Sequence, residues 1–334
     1  MTCTIKNIFM SVTLCLTLVS ILSYFFNLGL LSMLISITYP LIWLISLVAA
    51  CIGLTLKKFH FAIGFIILFW CYGPFYKFPE TNLQSNTNNK SFKILSFNTR
   101  SFNSEGQIKD MNVPKEIISF VNTIQPDILV LQEANYKACK QLDGYEYKFF
   151  GYRKDYNKST SFIFSKHPII NTGYVDMPST KNNSTYADIK LDNDTIRVYN
   201  IHLESYNLVL NQLKNNLNTI PKTIHLWHNT YQKQIAQANL VSNHVKTCSY
   251  NPIICGDFNA TPFSLPYRIL KTDLKDSFFE KGTNLGATYY LFKWYPLQLD
   301  HILTDENFEI TEHRNFKLDL SDHEPVLSTF KTKT

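Results

Sequence analysis

Six short polar motifs lie along this chain, and each follows or ends an apolar run. They are Ser96-Phe97-Asn98, Leu131-Gln132-Glu133, Asn200-Ile201-His202-Leu203, Gly256-Asp257-Phe258-Asn259, Leu299-Asp300-His301 and Ser321-Asp322-His323. The apolar runs at 92–97, 127–131, 196–201 and 252–255 predict buried strands. Side chains at strand ends in an α/β fold converge at one rim of the sheet, where sites are built. The motifs would bring together carboxylate, carboxamide and imidazole groups, which suit a hard divalent cation and proton transfer.

Strand-like and helix-like segments alternate after residue 90, which predicts an α/β fold. Further strands are predicted at 161–164, 186–191, 299–303 and 326–330. Apolar residues at helical spacing predict helices at 113–124 and 227–245. Neither internal repeats nor low-complexity stretches interrupt the alternation, so residues 91–332 are expected to form one domain.

The first 79 residues differ from the rest, because no charged residue occurs between Lys6 and Lys57. About 20 apolar residues cross a bilayer core. Segments 8–26, 28–56 and 59–76 approach or exceed that length and predict three transmembrane helices. The alternative is a cleaved signal peptide followed by buried core helices, but it predicts one short apolar stretch rather than three in succession. The polar segment 80–90 is predicted to be a linker.

The placement of lysines predicts the orientation of this anchor. Lys6 precedes the first segment, and Lys57 and Lys58 lie between the second and third. Because Lys and Arg favour the cytoplasmic side, the N-terminus is expected inside. Three crossings would then place the catalytic domain outside the cytoplasm, in an integral protein of the plasma or inner membrane.

Charge and cysteine content limit the classes of function. The whole chain has a formal charge of +6, and the four lysines and one glutamate before residue 81 account for three of these charges. The mildly basic remainder permits an anionic substrate but does not require a polyanion. Three cysteines lie beyond the anchor (Cys139, Cys248 and Cys255), too few for a disulfide framework.

The six motifs, in this order over about 240 residues, resemble the endonuclease/exonuclease/phosphatase superfamily of metal-dependent phosphoesterases. The tetrad 256–259, followed by Thr261-Pro262, is the most specific of them. The resemblance implies a four-layer sandwich of two packed mixed sheets flanked by helices. Gln298 departs from the family pattern, in which an Arg usually precedes the motif containing Asp300.

The resemblance also implies roles for particular residues. Glu133, Asp322 and Asn98 would bind Mg²⁺, or Mn²⁺ in its place. Asp257 would activate or orient the attacking water, and His323 would act as acid or base while Asp300 holds its ring. Asn259 and His202 would contact the substrate phosphate. Independently of the resemblance, the guanidinium of Arg100 could bind a phosphate oxygen, and the alternative is a solvated side chain.

These expectations define a membrane-anchored, metal-dependent phosphoesterase that hydrolyses a phosphodiester or phosphomonoester by in-line attack of water. Nucleic acid, a phospholipid or sphingolipid head group and a phosphorylated sugar remain alternative substrates. The lipid bilayer is the expected partner, and no obligate protein partner is expected. A catalytically silent membrane scaffold of the same fold is the alternative function. It should have lost at least one acidic or histidine position, whereas the set is complete.

Overall fold

The computed structural model describes residues 3–79, 91–109, 112–152, 158–192, 194–206 and 220–332. The predicted linker at 80–90 lies outside the described residues. The chain divides into two compact units. The first comprises residues 1–75, 206–232 and 261–268, and the second comprises 76–205, 233–260 and 269–334.

Three helices begin the chain: α1 (Cys3–Phe25), α2 (Leu30–Thr55) and α3 (His60–Tyr72). Among the described residues, two helical segments are long and apolar enough to cross a membrane, Thr4–Phe25 and Leu30–Thr55, each with a mean hydropathy of 2.1. At 1.5 Å per residue, the 13 residues of α3 span only about 20 Å of a hydrocarbon core about 30 Å thick.

The prediction of three transmembrane helices is therefore wrong in number. The apolar segment 59–76 contains Gly73 and Pro74, which end α3 early. Gly73 has a φ of 73° and donates its N–H to Phe69 O, and proline cannot continue a helix. Hydropathy alone extends the helix across this break, because Phe75 and Tyr76 beyond it are also apolar.

A later segment, Thr261 to Arg268, belongs to the same unit as the apolar helices. Thr261 Oγ1 donates to Ser36 O at 3.0 Å, and the rings of Phe263 and Tyr39 lie 4.3 Å apart. Arg268 donates to the carbonyl of Tyr24 at 2.8 Å and lies over its ring. These contacts fix the segment that follows Gly256–Asn259 onto α1 and α2.

In the described part of the second unit, two six-stranded mixed sheets form the centre. The strands of the first sheet are β1 (Ser91–Asn98), β2 (Ile128–Gln132), β3 (Tyr147–Gly151), β4 (Ser161–Ser165), β13 (Phe308–Asn315) and β14 (Val326–Thr332). Those of the second are β5 (Ile169–Val175), β6 (Ser184–Leu191), β7 (Asp194–His202), β8 (Asn251–Asp257), β9 (Lys275–Asp276) and β12 (Asp300–Thr304). The first sheet has the order β13-β14-β1-β2-β4-β3, and the second has the order β5-β6-β7-β8-β12-β9. A separate hairpin pairs β10 (Tyr289–Leu291) with β11 (Tyr295–Leu297).

The two sheets pack face to face through fully buried aliphatic side chains, including Ile94 and Val130 from one sheet and Val198 and Ile253 from the other. Helix α4 (Val113–Ile124) covers the outer face of the first sheet through Val113, Ile117 and Val121. The short helix α5 (Tyr136–Cys139) adds Ala138 and Cys139 to the same core.

The outer face of the second sheet is covered by α6 (Ile220–Lys246), from which Ala238 and Val241 are buried. Tyr199 of β7 is hydrogen-bonded to His244 of this helix at 2.9 Å. Helices α7 (Leu265–Lys271) and α8 (Ser277–Lys281) complete the series. The predicted α/β architecture of four layers, helix on sheet on sheet on helix, is confirmed.

Candidate active site

The strand ends that carry the polar motifs are neighbours in the sheets. On one sheet, Asn98 of β1 pairs with Gln132 of β2 in parallel register, and Glu133 follows directly. On the other, Asp257 of β8 pairs with His202 of β7 and with Asp300 of β12. Because the two sheets pack face to face, these ends meet across the sandwich. Asn98 Nδ2 donates to Asp257 Oδ2 at 3.0 Å.

The turn Gly256–Asn259 holds Asp257 in a fixed position. Gly256 has a φ of 137°, and a Cβ there would lie 2.0 Å from the carbonyl oxygen of Ile201 on β7, so only glycine allows β7 and β8 to approach this closely. Phe258 is fully buried. Asn259 donates its backbone N–H to Asp257 Oδ1 at 2.8 Å, while its amide contacts Leu203 O at 3.1 Å and Asp257 Oδ2 at 3.3 Å.

His323 joins two buried carboxylates. Its Nδ1 lies 2.8 Å from Asp300 Oδ2, and its Nε2 lies 3.5 Å from Asp257 Oδ2. A carboxylate hydrogen-bonded to one ring nitrogen fixes the orientation and tautomer of the imidazole. Burial by itself lowers the pKa of His323, but Asp257, Asp300 and Asp322 together raise it well above its ordinary value. This contact is the one that the role predicted for Asp300 requires, and the role itself stays a prediction.

Glu133 and His202 lie beside each other next to Asn98 and Asp257. Glu133 has a φ of 47°, a backbone conformation that non-glycine residues rarely adopt. Its Oε1 lies 3.5 Å from Asn98 Nδ2 and 3.6 Å from His202 Nε2. His202 Nε2 is also 3.7 Å from Asp257 Oδ2. The Glu133 side chain remains 37% exposed, so its oxygens can accept a further ligand.

Arg100 and Asp322 form an ion pair at 3.2 Å in which each side chain is about one third exposed. Arg100 begins a turn, Arg100–Asn103, in which all four residues have positive φ. Ser321 Oγ donates to the backbone carbonyl of Asn98 at 2.8 Å, so the motif 321–323 lies beside the end of β1. The structure thus brings Arg100 to Asp322, a contact that the sequence-based roles did not include.

Other residues of this region carry contacts that the motifs did not reveal. Gln132 Nε2 donates to Asn200 Oδ1 at 2.8 Å, which joins the two sheets beside Glu133 and His202. Gln234 of α6 donates to Asn259 O at 2.9 Å. Gln234 is a polar residue on the apolar face of the helix predicted at 227–245. That interruption of the apolar pattern could have identified it from the sequence.

The hairpin β10–β11 begins beside the same cluster. Thr288 Oγ1 accepts the backbone N–H of Asp300 at 3.1 Å, and the ring of Tyr289 lies 5.1 Å from that of His323. Gln298, which stands where the family usually has Arg, is buried, and its Nε2 has no hydrogen-bond partner within the described chain.

Two sets of residues could hold a metal ion. Asp257, Asp300 and His323 offer ligand atoms within 4.8 Å of one another. In that set, however, Asp300 Oδ2 and His323 Nδ1 already share a 2.8 Å hydrogen bond. Glu133 is the better ligand, because its carboxylate is partly exposed and has only long contacts of 3.5 Å and 3.6 Å. Carboxylate and amide oxygens are the ligands that Mg²⁺ prefers, so Glu133, Asn98 and Asp322 fit this ion chemically.

The family model for the endonuclease/exonuclease/phosphatase family matches residues 95–323. The chain belongs to this family. It is a hydrolase of phosphoester bonds. All six motifs lie within the matched residues, and no curated protein sequence matches the chain.

Solved structures with this family's fold resemble the chain at low identity. TDP2 of D. rerio, in a crystal structure with single-strand DNA product, has 16% identity and a TM-score of 0.56 over 73% of this chain and 100% of that chain. A family protein of Bacteroides thetaiotaomicron has 18% identity and a TM-score of 0.56 over 74% of this chain and 100% of that one. One from Beutenbergia cavernae has 14% identity and the same TM-score over 73% and 72%.

Proposed function

We propose that this family member is a membrane-anchored, Mg²⁺-dependent phosphodiesterase. The observation that carries the proposal is the buried chain of contacts from Asp300 through His323 to Asp257, with Glu133 and Asn98 against its far end. A catalytically silent scaffold would have no need to bury three acidic and imidazole groups against one another, because burying charge is costly unless function or pairing compensates.

The acid and imidazole groups would divide the proton transfers between them. Asp257 would accept the proton of the attacking water, and the protonated ring of His323, which Asp300 orients through Nδ1, would donate its Nε2 proton to the leaving oxygen. His202 Nε2 and the Asn259 amide would face the phosphoryl oxygens and stabilise the charge that develops on them. Hydrolysis then needs no covalent intermediate, since water is the nucleophile.

A magnesium ion would be held by Glu133, with Asn98 beside it and Asp322 as a further acidic ligand. Bound there, it would polarise the phosphoryl oxygen and stabilise the leaving group. The Arg100–Asp322 ion pair adds a planar cation that suits bidentate contact with a phosphate. The substrate phosphate would therefore bind Arg100 either in place of Asp322 or beside it. The metal ion would bind the Asp322 carboxylate in the same two ways with respect to Arg100.

Metal binding gives the direct test. Isothermal titration of Mn²⁺ and Mg²⁺ should show that Glu133→Gln weakens affinity at least about tenfold, as loss of a charged ligand implies. Glu105→Gln, an exposed acid-to-amide change outside the cluster, is the matched control and should leave affinity unchanged. Chelator should abolish hydrolysis of bis(4-nitrophenyl) phosphate and Mg²⁺ should restore it. Full activity in chelator would refute the metal dependence.

The apolar helices support membrane anchoring. Only 28% of the most apolar stretch of α1 and 39% of that of α2 is buried within the protein. A core helix of a soluble protein would be mostly buried. Exposed side chains such as Ile8, Val12, Leu41 and Val48 would then lie in lipid. The signal-peptide alternative does not account for α2, which has the same hydropathy as α1.

With the N-terminus on the cytoplasmic side, an extracytoplasmic catalytic domain requires an odd number of membrane crossings. Helix α3 is too short to supply the third crossing by itself. The location therefore stays a prediction. Protease added to intact cells tests it directly. Release of a fragment of the size of residues 91–332 would support an extracytoplasmic domain, and full protection would place the domain on the cytoplasmic side.

A further inference from the structure

The hairpin β10–β11 ends in three residues, Phe292, Lys293 and Trp294, here called the hairpin tip. Leu291 pairs with Tyr295, so these residues form the connection between the two strands. Trp294 is 70% exposed and Phe292 is 54% exposed. Two large aromatic side chains that are this exposed to water lose favourable burial, so they mark a contact surface.

The backbone of the hairpin tip is strained. Phe292 has a φ of 55° and Lys293 has a φ of 67°. Tight hairpins place Asn or Gly at such positions, because other side chains are sterically strained there. A phenylalanine in this conformation is unusual, and strain of this kind is retained chiefly at functional sites. The conformation presents Phe292 and Trp294 outward together.

The surface around the tip is basic. A cavity of about 380 Å³ is lined by Tyr290, Trp294 and Phe316 together with Arg314 and Lys317, and its described lining includes no acidic residue. Arg314 lies 4.5 Å from the centre of the Phe316 ring, and Lys317 lies 5.6 Å from that of Tyr290. Together with Lys293 of the tip itself, these two cations lie beside the aromatic residues of this surface.

The same surface is joined to the chain that leaves the apolar helices. Lys77 and Asn284 exchange two backbone hydrogen bonds of 2.9 Å and 2.8 Å, and Tyr76 Oη contacts Asn284 Oδ1 at 3.1 Å. Asn284 also lines the cavity beside Trp294. Phe78 is 77% exposed, and its ring lies 5.0 Å from that of Tyr76. In the sequence, Tyr76 follows the end of α3 by only four residues.

From this arrangement we infer that the hairpin tip, with Tyr76 and Phe78, inserts into the surface of a lipid bilayer that carries anionic head groups. Aromatic rings with a polar neighbour favour the bilayer interface, and nearby Lys and Arg are attracted to anionic lipids. The apolar helices keep such a surface within reach, whereas a free nucleic-acid strand would have to be recruited. The partner is the bilayer itself.

This inference rests on the proposed function where it concerns the substrate, which it narrows to a phosphoester in the head-group layer. The hairpin base contacts the catalytic cluster, because Tyr289 pairs with His323 and Thr288 binds Asp300. Three residues of strand extend about 10 Å from base to tip. A head-group layer is about 5–8 Å thick. A tip inserted in that layer would therefore place lipid phosphates within reach of His323.

Trp294 fluorescence tests the inference in the full-length protein. Wild type and Trp294→Phe are reconstituted in nanodiscs of phosphatidylcholine and phosphatidylglycerol, with and without brominated lipid, and the difference spectrum isolates Trp294. We expect this component to be blue-shifted and quenched by brominated lipid, as insertion of about 5–10 Å implies. Replacing phosphatidylglycerol by phosphatidylcholine should reduce the quenching. Tyr152→Phe, at an exposed aromatic residue elsewhere on the unit, is the matched control and should leave the quenching unchanged.

A solvent-like Trp294 component that brominated lipid does not quench would overturn the inference. Quenching by a single-stranded oligonucleotide without quenching by lipid would also overturn it, in favour of base stacking. Because emission is measured rather than turnover, an inserted tip on an inactive protein would refute the proposed function alone. An active enzyme with an uninserted tip would refute this inference alone.

Discussion

At the scale of single residues, Asp300 has one evident task. It is fully buried, its Oδ2 accepts from His323 Nδ1, and its Oδ1 has no hydrogen-bond partner within the described chain. A buried carboxylate used in this way stabilises a charged imidazole and fixes which nitrogen faces Asp257. Its contribution to hydrolysis should therefore act through His323 rather than by contact with substrate.

Asp300→Asn should lower kcat by about 10²–10⁴-fold, the range that positioned acid–base groups contribute, while KM changes little. Steady-state kinetics with a small phosphodiester would measure both constants. Asp143→Asn, a change at an exposed position, is the control and should leave kcat intact. A folded Asp300→Asn protein with wild-type kcat would contradict the positioning role.

The lowered pKa of His313 should make the stability of the second unit depend on pH. Burial lowers its pKa from 6.5 to about 4, although Asp276 and the hydrogen bond to Asn315 oppose the shift. Ser277 and Ser328 face its Nδ1, Asn315 faces its Nε2, and Asp276 and His301 are the nearby titratable groups. The neutral ring is therefore the folded form.

Because the folded pKa is depressed, the unfolded state binds the proton first as pH falls below 6.5. The free energy of unfolding should then fall by up to about 3 kcal/mol between pH 6.5 and 4. Denaturant unfolding at several pH values would show this slope, which should be smaller in His313→Gln and unchanged in a control at exposed His225. An equal slope in His313→Gln would contradict this assignment.

At the scale of elements, the close approach of β7 and β8 sets the position of Asp257. Gly256→Ala would place a Cβ 2.0 Å from the Ile201 carbonyl at a φ of 137°. We expect a loss of more than about 3 kcal/mol in the free energy of unfolding, because backbone rather than a flexible side chain must move. Activity should fall with it.

Gly106→Ala is the matched control for this change. Gly106 also has a positive φ, 65°, but a Cβ there would meet nothing within 4 Å. It should cost only about 1–2 kcal/mol, the ordinary penalty of the left-handed conformation. Equal losses in the two variants, measured by denaturant unfolding, would show that backbone strain rather than strand packing decides the effect.

The elements that can be predicted from the sequence are those with a strong apolar signal. The central strands β1, β2, β7 and β8 and the helix at Val113–Ile124 follow from such runs. Edge strands β3, β5 and β13 do not, because their solvent-facing residues break the apolar pattern. The end of α3 at Tyr72 was not predicted, because hydropathy alone does not show that Gly73-Pro74 ends the helix.

The site can be predicted in its membership but not in all of its contacts. Strand-end position, together with the family resemblance, is enough to predict that Glu133, Asp257 and His323 share one site. The Gln132–Asn200 hydrogen bond and the Arg100–Asp322 ion pair join segments far apart in the sequence. The first contact depends on how the two sheets pack, and the second depends on the loops that follow β1 and precede β14 in the same sheet. No local sequence pattern encodes either of them.

At the scale of the whole molecule, the apolar helices should hold the protein in a membrane. The full chain should remain in the membrane fraction through carbonate and high-salt washes and leave it only with detergent, because α1 and α2 bury apolar surface in lipid. N-terminal sequencing of the extracted protein should begin at or near residue 1. Release by carbonate, or a mature chain that lacks α1, would support the signal-peptide alternative.

We propose that one cluster, built from the ends of both sheets, hydrolyses phosphoester bonds. The most direct measurement is turnover of bis(4-nitrophenyl) phosphate in ¹⁸O-labelled water by wild type and by His323→Gln, with near-ultraviolet circular dichroism to confirm folding. We expect turnover by wild type with label in the phosphate product, and a rate at least about 10²-fold lower in the variant. Equal turnover by both folded proteins, or product without label, would contradict it.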